Sequence, residues 1–181
     1  VSKDETINST FRESIGRRLP WLYVNLGALL LASFIVALFE DVIVQVVALA
    51  VVMPIIAGLG GNAGFQTLSV VIRSITLGEV DLKSGWHLVI KEIALGLLHG
   101  LLIGAVAGAI FYFKYGNFYL GLIIIAAMVF NLGIAGLFGY LVPLILQKLN
   151  IDPAVASSIF VTTATDVIGF FTFLGLASYF L

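Results

Sequence analysis

Long apolar runs broken by short polar stretches divide this chain into five. The first run extends from about Pro20 to Phe39 and stops at the acidic pair Glu40 and Asp41. The second begins at Val42 and continues, with interruptions, to about Leu77. The third covers about Lys91 to Phe113, the fourth about Tyr119 to Leu146, and the fifth Pro153 to Leu181. A helix rising 1.5 Å per residue needs about 20 apolar residues to cross a hydrocarbon core of about 30 Å. Every run meets that length, and the second exceeds it, so a straight helix there would overshoot. Pro54 removes a backbone hydrogen bond, and Gly58, Gly60 and Gly61 loosen the turn after it. The pattern therefore predicts an all-α polytopic membrane protein with five transmembrane helices. Its second helix is expected to be kinked or broken from Pro54 to Gly61, with the far end reaching into the cytoplasm.

Two further features bear on packing and boundaries. Gly96, Gly100, Gly104 and Gly108 recur every four residues in the third run, a ladder that lets a neighbouring backbone approach along the whole helix. Residues 1–19 are polar and mixed in charge, and read as an amphipathic or polar helix ahead of a membrane domain spanning 20–181. The chain starts on Val and looks cut from something longer. Arg17 and Arg18 form a charged collar, followed by Pro20 and the aromatic anchor Trp21.

Composition agrees with the pattern. The chain of 181 residues is 61% hydrophobic and 10% charged, with a mean hydropathy of +1.15. Soluble domains carry about 25% charged residues. There is no basic face for nucleic acid and no cysteine for disulfide or thiolate chemistry. With the N-terminus inside, Lys3, Arg12, Arg17, Arg18, Arg73, Lys83, Lys91 and Lys148 fall on the cytoplasmic side and only Lys114 outside. That bias predicts a cytoplasmic N-terminus in a multi-pass protein of the cell (inner) membrane.

One acid, Asp166, interrupts the fifth run. A carboxylate near the bilayer centre costs roughly 3 kcal/mol on insertion scales, and such residues mark ion or proton paths. Ser158, Thr162 and Asp166 stand four residues apart, so their oxygens share one helix face. The structural alternative is a protonated or paired acid. Its opposite-sign candidates in the apolar runs are Arg73 and Lys91, both expected nearer the cytoplasm. In the second run Gly61, Asn62 and Gln66 follow Pro54, and Asn62, Gln66, Ser69 and Arg73 lie on one stripe. Carbonyls exposed at a helix break would suit a cation, while a kink with hydrogen-bonding side chains fits equally. Asp152 before Pro153 reads as a helix N-cap, with cation ligation on the cytoplasmic side as its alternative. Asn131 reads as interhelical glue, His99 as a packed residue beside the glycine ladder, and Glu40 with Asp41 as a solvated turn or an outer cation-attracting mouth. No nucleophile, base and acid stand together, so an enzyme is not expected.

Pro54 followed by Gly60-Gly61-Asn62-Ala63-Gly64-Phe65-Gln66 and Arg73 resembles the second transmembrane helix of the MgtE family of magnesium channels. Asp152-Pro153-Ala154 with Thr165-Asp166-Val167 and Gly169 resembles that family's fifth helix. Glu40, Lys91-Glu92 and the five-span layout agree. The resemblance implies a homodimer with a pore near the two-fold axis, lined by the second and fifth helices. Pro54, Gly61, Asn62, Gln66 and Gly169 would line it. It implies that Asp166, with Thr162 and Ser158, holds hydrated Mg²⁺, and that Asp152 contributes to Mg²⁺ sites on the cytoplasmic side. It also implies an N-terminal regulatory domain and a CBS domain pair in the full-length protein, with residues 1–19 the end of the helix connecting them to the pore. Two other readings stay open: a divalent-cation carrier coupled to H⁺ or Na⁺, and a non-transporting membrane anchor for a missing soluble domain.

Overall fold

A computed structural model describes residues 6–80 and 86–181. Six helices follow one another: α1 (Phe11–Ala37), α2 (Glu40–Gln45), α3 (Ala48–Thr76), α4 (Trp86–Tyr115), α5 (Phe118–Lys148) and α6 (Pro153–Phe180). No strand occurs among the described residues. Five helices are long and apolar enough to cross a membrane, all but the short α2. The all-α, five-span architecture is thus the one the apolar runs predict. Lys3 and Lys83 of the charge count, and the first residues of the polar lead-in, lie outside the described residues.

Residues 11–19 of the polar lead-in and the first span are one helix. Glu13 closes its first turn, accepting from the Thr10 backbone N–H at 2.9 Å and from the Thr10 hydroxyl at 2.8 Å. From Phe11 the helix runs through Pro20 to Ala37 without interruption.

The second run is divided at a point that neither Pro54 nor its glycines mark. α3 continues unbroken through Pro54, Gly58, Gly60 and Gly61. The interruption lies upstream at Val46, with φ −127° and ψ 78°, between α2 and α3. Val42, Ile43, Val44, Val46 and Val47 are all β-branched, and such side chains lose rotamer freedom in a helix. Gly60, Gly61 and Gly64 are used instead for close approach: a Cβ at any of them would meet a side chain of α5 or α6.

The centre of the bundle is α5, which packs on α3, α4 and α6. Its contact with α4 is the predicted ladder. A Cβ on Gly100 would lie 2.5 Å from the Met128 carbonyl oxygen, and one on Gly108 would lie 2.6 Å from that of Gly121. Backbone meets backbone there, so no side chain can yield. The turn to α5 is two residues, Gly116 at φ 68° and Asn117, whose side chain accepts from Leu120 N–H at 3.1 Å. By contrast α1 packs on α6 and makes no comparable contact with the rest of the bundle.

Asn131, fully buried on α5, ties the bundle together. Its Nδ2 donates to the Ile56 carbonyl of α3 at 2.8 Å, and the amide lies between Gly60 of α3 and Gly169 of α6. The residue is interhelical glue, as its type and setting predicted.

Candidate functional site

α6 begins with a cap. Asp152 Oδ1 accepts from Ala154 N–H at 3.0 Å, and Pro153 follows at the first helical position. From that fixed start the helix carries Ser158, Thr162 and Asp166 along one half-buried face. The span across the three is eight residues, or about 12 Å of helix rise. The Thr162 hydroxyl donates back to the Ser158 carbonyl, which leaves its lone pairs facing outward. Thr165, on the buried side, donates to Thr162 O at 3.0 Å and to Val161 O at 3.2 Å. Hydroxyls therefore satisfy the helix from within and present oxygen acceptors to the cavity beside it.

That cavity has a volume of about 650 Å³. Ser158, Thr162 and Asp166 form one wall, Phe65 of α3 an edge, and Arg18, Trp21, Leu22, Asn25 and Leu29 of α1 the opposite wall. Asp166 is half-buried and, among the described residues, has no hydrogen-bond or ion-pair partner. Neither Arg73 nor Lys91 lines this cavity, and Lys91 sits 3.9 Å from Glu92. No three His, Asp or Glu side chains converge among the described residues. The cavity thus brings together one carboxylate, two hydroxyls, a carboxamide and, from α1, the Arg18 side chain, which has interactions of its own; the oxygens among them suit a cation keeping much of its own water.

The other predicted residues separate. Gly61 brings α3 onto α6, because a Cβ there would lie 3.3 Å from Thr162 Cγ2. Asn62 follows it on the outer face of α3. There Pro54, Gly58, Asn62, Gln66, Ser69 and Arg73 are all exposed on the single chain. Ser69 satisfies itself by donating to Phe65 O at 2.7 Å. Gln66 lines a different cleft, between α3 and α4, with Thr67, Lys91, Glu92 and His99. In that cleft the Thr67 hydroxyl donates to Glu92 Oε2 at 3.2 Å. Gly169 faces Asn131 inside the bundle, and Asp152 lies outside the Asp166 cavity.

Of the polar α1 residues in the cavity, Asn25 was not singled out from the sequence, and Arg18 was named only in the charged collar and the charge count. Their signal is the seven-residue spacing through Trp21 that puts them on one face of α1, together with a carboxamide in an otherwise apolar span.

The family model for the MgtE divalent cation transporter matches residues 53–176, which take in α3 after its first five residues, all of α4 and α5, and all but the last turn of α6. The chain belongs to the MgtE family. The magnesium transporter MgtE of Bacillus subtilis is 34% identical over 179 residues, covering 99% of this chain and 40% of the relative. The MgtE of Enterococcus faecalis is 30% identical over 177 residues, covering 98% of this chain and 39% of that protein. The Thermus thermophilus MgtE is 32% identical over 160 residues, or 88% of this chain and 35% of the relative. This chain therefore spans about two fifths of the length of the MgtE relatives it matches. The family match takes in the cavity wall formed by α6 and the outer polar stripe of α3.

Proposed function

We propose that this chain is the Mg²⁺-conducting membrane part of a magnesium channel. In this reading two copies meet about a two-fold axis, α3 and α6 line the pore, and Asp166 holds the passing ion. The observation that carries it is the half-buried Asp166, which makes no ion pair among the described residues and shares its cavity with the hydroxyls of Thr162 and Ser158, the Asn25 amide and the Arg18 side chain. A membrane carboxylate that makes no ion pair within its own chain leaves room for a mobile counter-charge. Membership of a family of divalent cation transporters gives that counter-charge its class, and the relatives' names give Mg²⁺.

Mg²⁺ prefers octahedral oxygen coordination and dehydrates reluctantly. A single carboxylate per chain, flanked by Thr162 and Ser158, can accept hydrogen bonds from the waters of a hydrated ion. Two-fold symmetry would bring two such acids to one axis. The low charge density keeps binding weak enough to release the ion, as conduction requires. The exposed stripe of Pro54, Gly58, Asn62 and Gln66 fits the second copy: polar groups left facing lipid are costly, and a facing stripe from a partner with pore water would satisfy them.

Gly61 and Gly169 support this arrangement by packing α3 onto α6 and α6 onto α5. Asp152 belongs to the cytoplasmic mouth, with its cap bond orienting the carboxylate. The N-terminus is cytoplasmic in the cell membrane. An N-terminal regulatory domain and a CBS domain pair in the full-length protein feed into α1. The test is Mg²⁺ flux into liposomes carrying this chain with no H⁺ or Na⁺ gradient. Flux down the Mg²⁺ gradient supports a channel. Flux that appears only with an imposed H⁺ or Na⁺ gradient means a coupled carrier.

A further inference from the structure

One wall of the Asp166 cavity belongs to α1, whose polar lining side chains are Arg18 at its membrane-entry end and Asn25 midway along the face. The α1 residues that line the cavity are Arg18, Trp21, Leu22, Asn25 and Leu29, at offsets of three, four, seven and eleven, which is one continuous helix face. Between Arg18 and Ala37 this helix carries a single carboxamide. Asn25 is half-buried, while Val24 and Leu26 beside it are exposed. Among the described residues its side chain makes no hydrogen bond. A carboxamide has two donors and an acceptor oxygen, and in an apolar span it normally spends them on a neighbouring helix. Asn131 does so with Ile56. Asn25 instead turns toward the cavity that holds Asp166, Thr162 and Ser158.

We infer that Asn25 is a specificity-determining residue of the cation path, accepting through Oδ1 a hydrogen bond from water bound to the ion at Asp166. This rests on the reading of Asp166 as the ion-holding acid. Water bound to a divalent cation presents its hydrogens outward, so the outer shell is recognised by acceptors. Asp166, Thr162 and Ser158 supply acceptors from α6 and Asn25 one from α1, where Arg18 also lines the cavity. Because the amide is neutral, it adds an acceptor without adding a charge, and so positions the hydrated ion without trapping it. A second carboxylate at that place would favour Ca²⁺, which sheds water and takes direct oxygen ligands more readily than Mg²⁺.

The test compares Asn25→Asp, Asn25→Leu and Asp166→Asn with the parent chain in two measurements. One is the Mg²⁺ dependence of thermal unfolding in detergent, which needs no open pore. The other is Mg²⁺ and Ca²⁺ flux in liposomes. Asn25→Leu is expected to raise the half-saturating Mg²⁺ concentration about fivefold, the scale of one lost hydrogen bond to a charged shell. Asn25→Asp, isosteric with the parent, is expected to lower that concentration, reduce maximal Mg²⁺ flux and raise Ca²⁺ flux relative to Mg²⁺. A purely structural Asn25 would not shift the Ca²⁺-to-Mg²⁺ ratio in the isosteric variant. Parent half-saturation and an unchanged ratio in Asn25→Asp overturn the inference. If Asp166→Asn then still loses Mg²⁺ dependence, the Asp166 reading stands and the role of Asn25 alone fails. An Asp166→Asn protein with parent behaviour overturns both.

Discussion

Asn131 Nδ2 donates to the carbonyl oxygen of Ile56 at 2.8 Å, across the boundary between α5 and α3. The same amide fills the space that Gly60 and Gly169 leave by having no side chain. A Cβ on Gly169 would lie 2.8 to 2.9 Å from three Asn131 atoms. Three helices are thus keyed by one amide and two glycines. Gly169→Ala is expected to destabilise the protein by about 1–3 kcal/mol, the range of core overpacking. Asn131→Ala removes a membrane hydrogen bond worth about 1 kcal/mol and opens room. In the double variant Asn131→Ala/Gly169→Ala the new methyl enters that room, so the combined loss should be smaller than the sum. Denaturant unfolding of all three variants in detergent reads the coupling, and strict additivity would mean the two residues do not share the space.

The glycine ladder gives a sharper contrast. Gly100→Ala would press its methyl on the Met128 carbonyl and on Val129 Cα, both backbone, so α4 must move off α5. A loss above about 2 kcal/mol is expected. Gly27→Ala, with nothing within 4 Å of the new methyl, should be neutral or stabilising by up to about 1 kcal/mol through helix propensity. Equal losses at the two positions, in the same unfolding measurement, would contradict the packing described.

Gly58 also has open space around it in the single chain, yet it sits on the exposed stripe with Pro54 and Asn62. If that stripe faces a second copy, Gly58→Trp places a bulky ring in the interface. Light-scattering mass in detergent is expected to fall from dimer to monomer, with helix content by circular dichroism unchanged. A parent that is itself monomeric, or a variant that stays dimeric, would remove α3 from the interface.

Asp152 has two roles to separate. Asn is as good an N-cap as Asp, whereas Ala loses the bond to Ala154 N–H and costs about 1 kcal/mol. Asp152→Asn should therefore unfold like the parent and Asp152→Ala earlier. Because the mouth reading gives the carboxylate a further duty toward cations, both variants should lower Mg²⁺ flux at low Mg²⁺. Parent flux in Asp152→Asn would reduce the residue to its cap.

What the chain disclosed before its structure was known follows from which forces are local. Spans, the α4–α5 ladder, the Asp152 cap and Asn131 as glue rest on apolar run length, four-residue spacing or a neighbouring residue, all present in the linear order. The interruption at Val46 was not legible, because no Pro or Gly marks it. In α3 the glycines make room for Asn131, Val161 and Thr162, and the chain yields instead among the β-branched residues before Ala48. The wall facing Asp166 was missed for a different reason. Nothing in the order of residues says that α1, rather than α4, lies beside α6, so Asn25 could not be matched with an acid far along the chain.

The central claim is that Asp166 holds the ion that crosses the membrane. The most direct test is Mg²⁺ flux into liposomes by the parent chain and by Asp166→Asn. The variant keeps shape and volume but loses the charge, and both proteins are to be matched for folded, inserted protein. The account predicts Mg²⁺ flux in the parent and at least a tenfold loss in the variant, the equivalent of about 1.4 kcal/mol of ion stabilisation. Equal flux from the two proteins would contradict it.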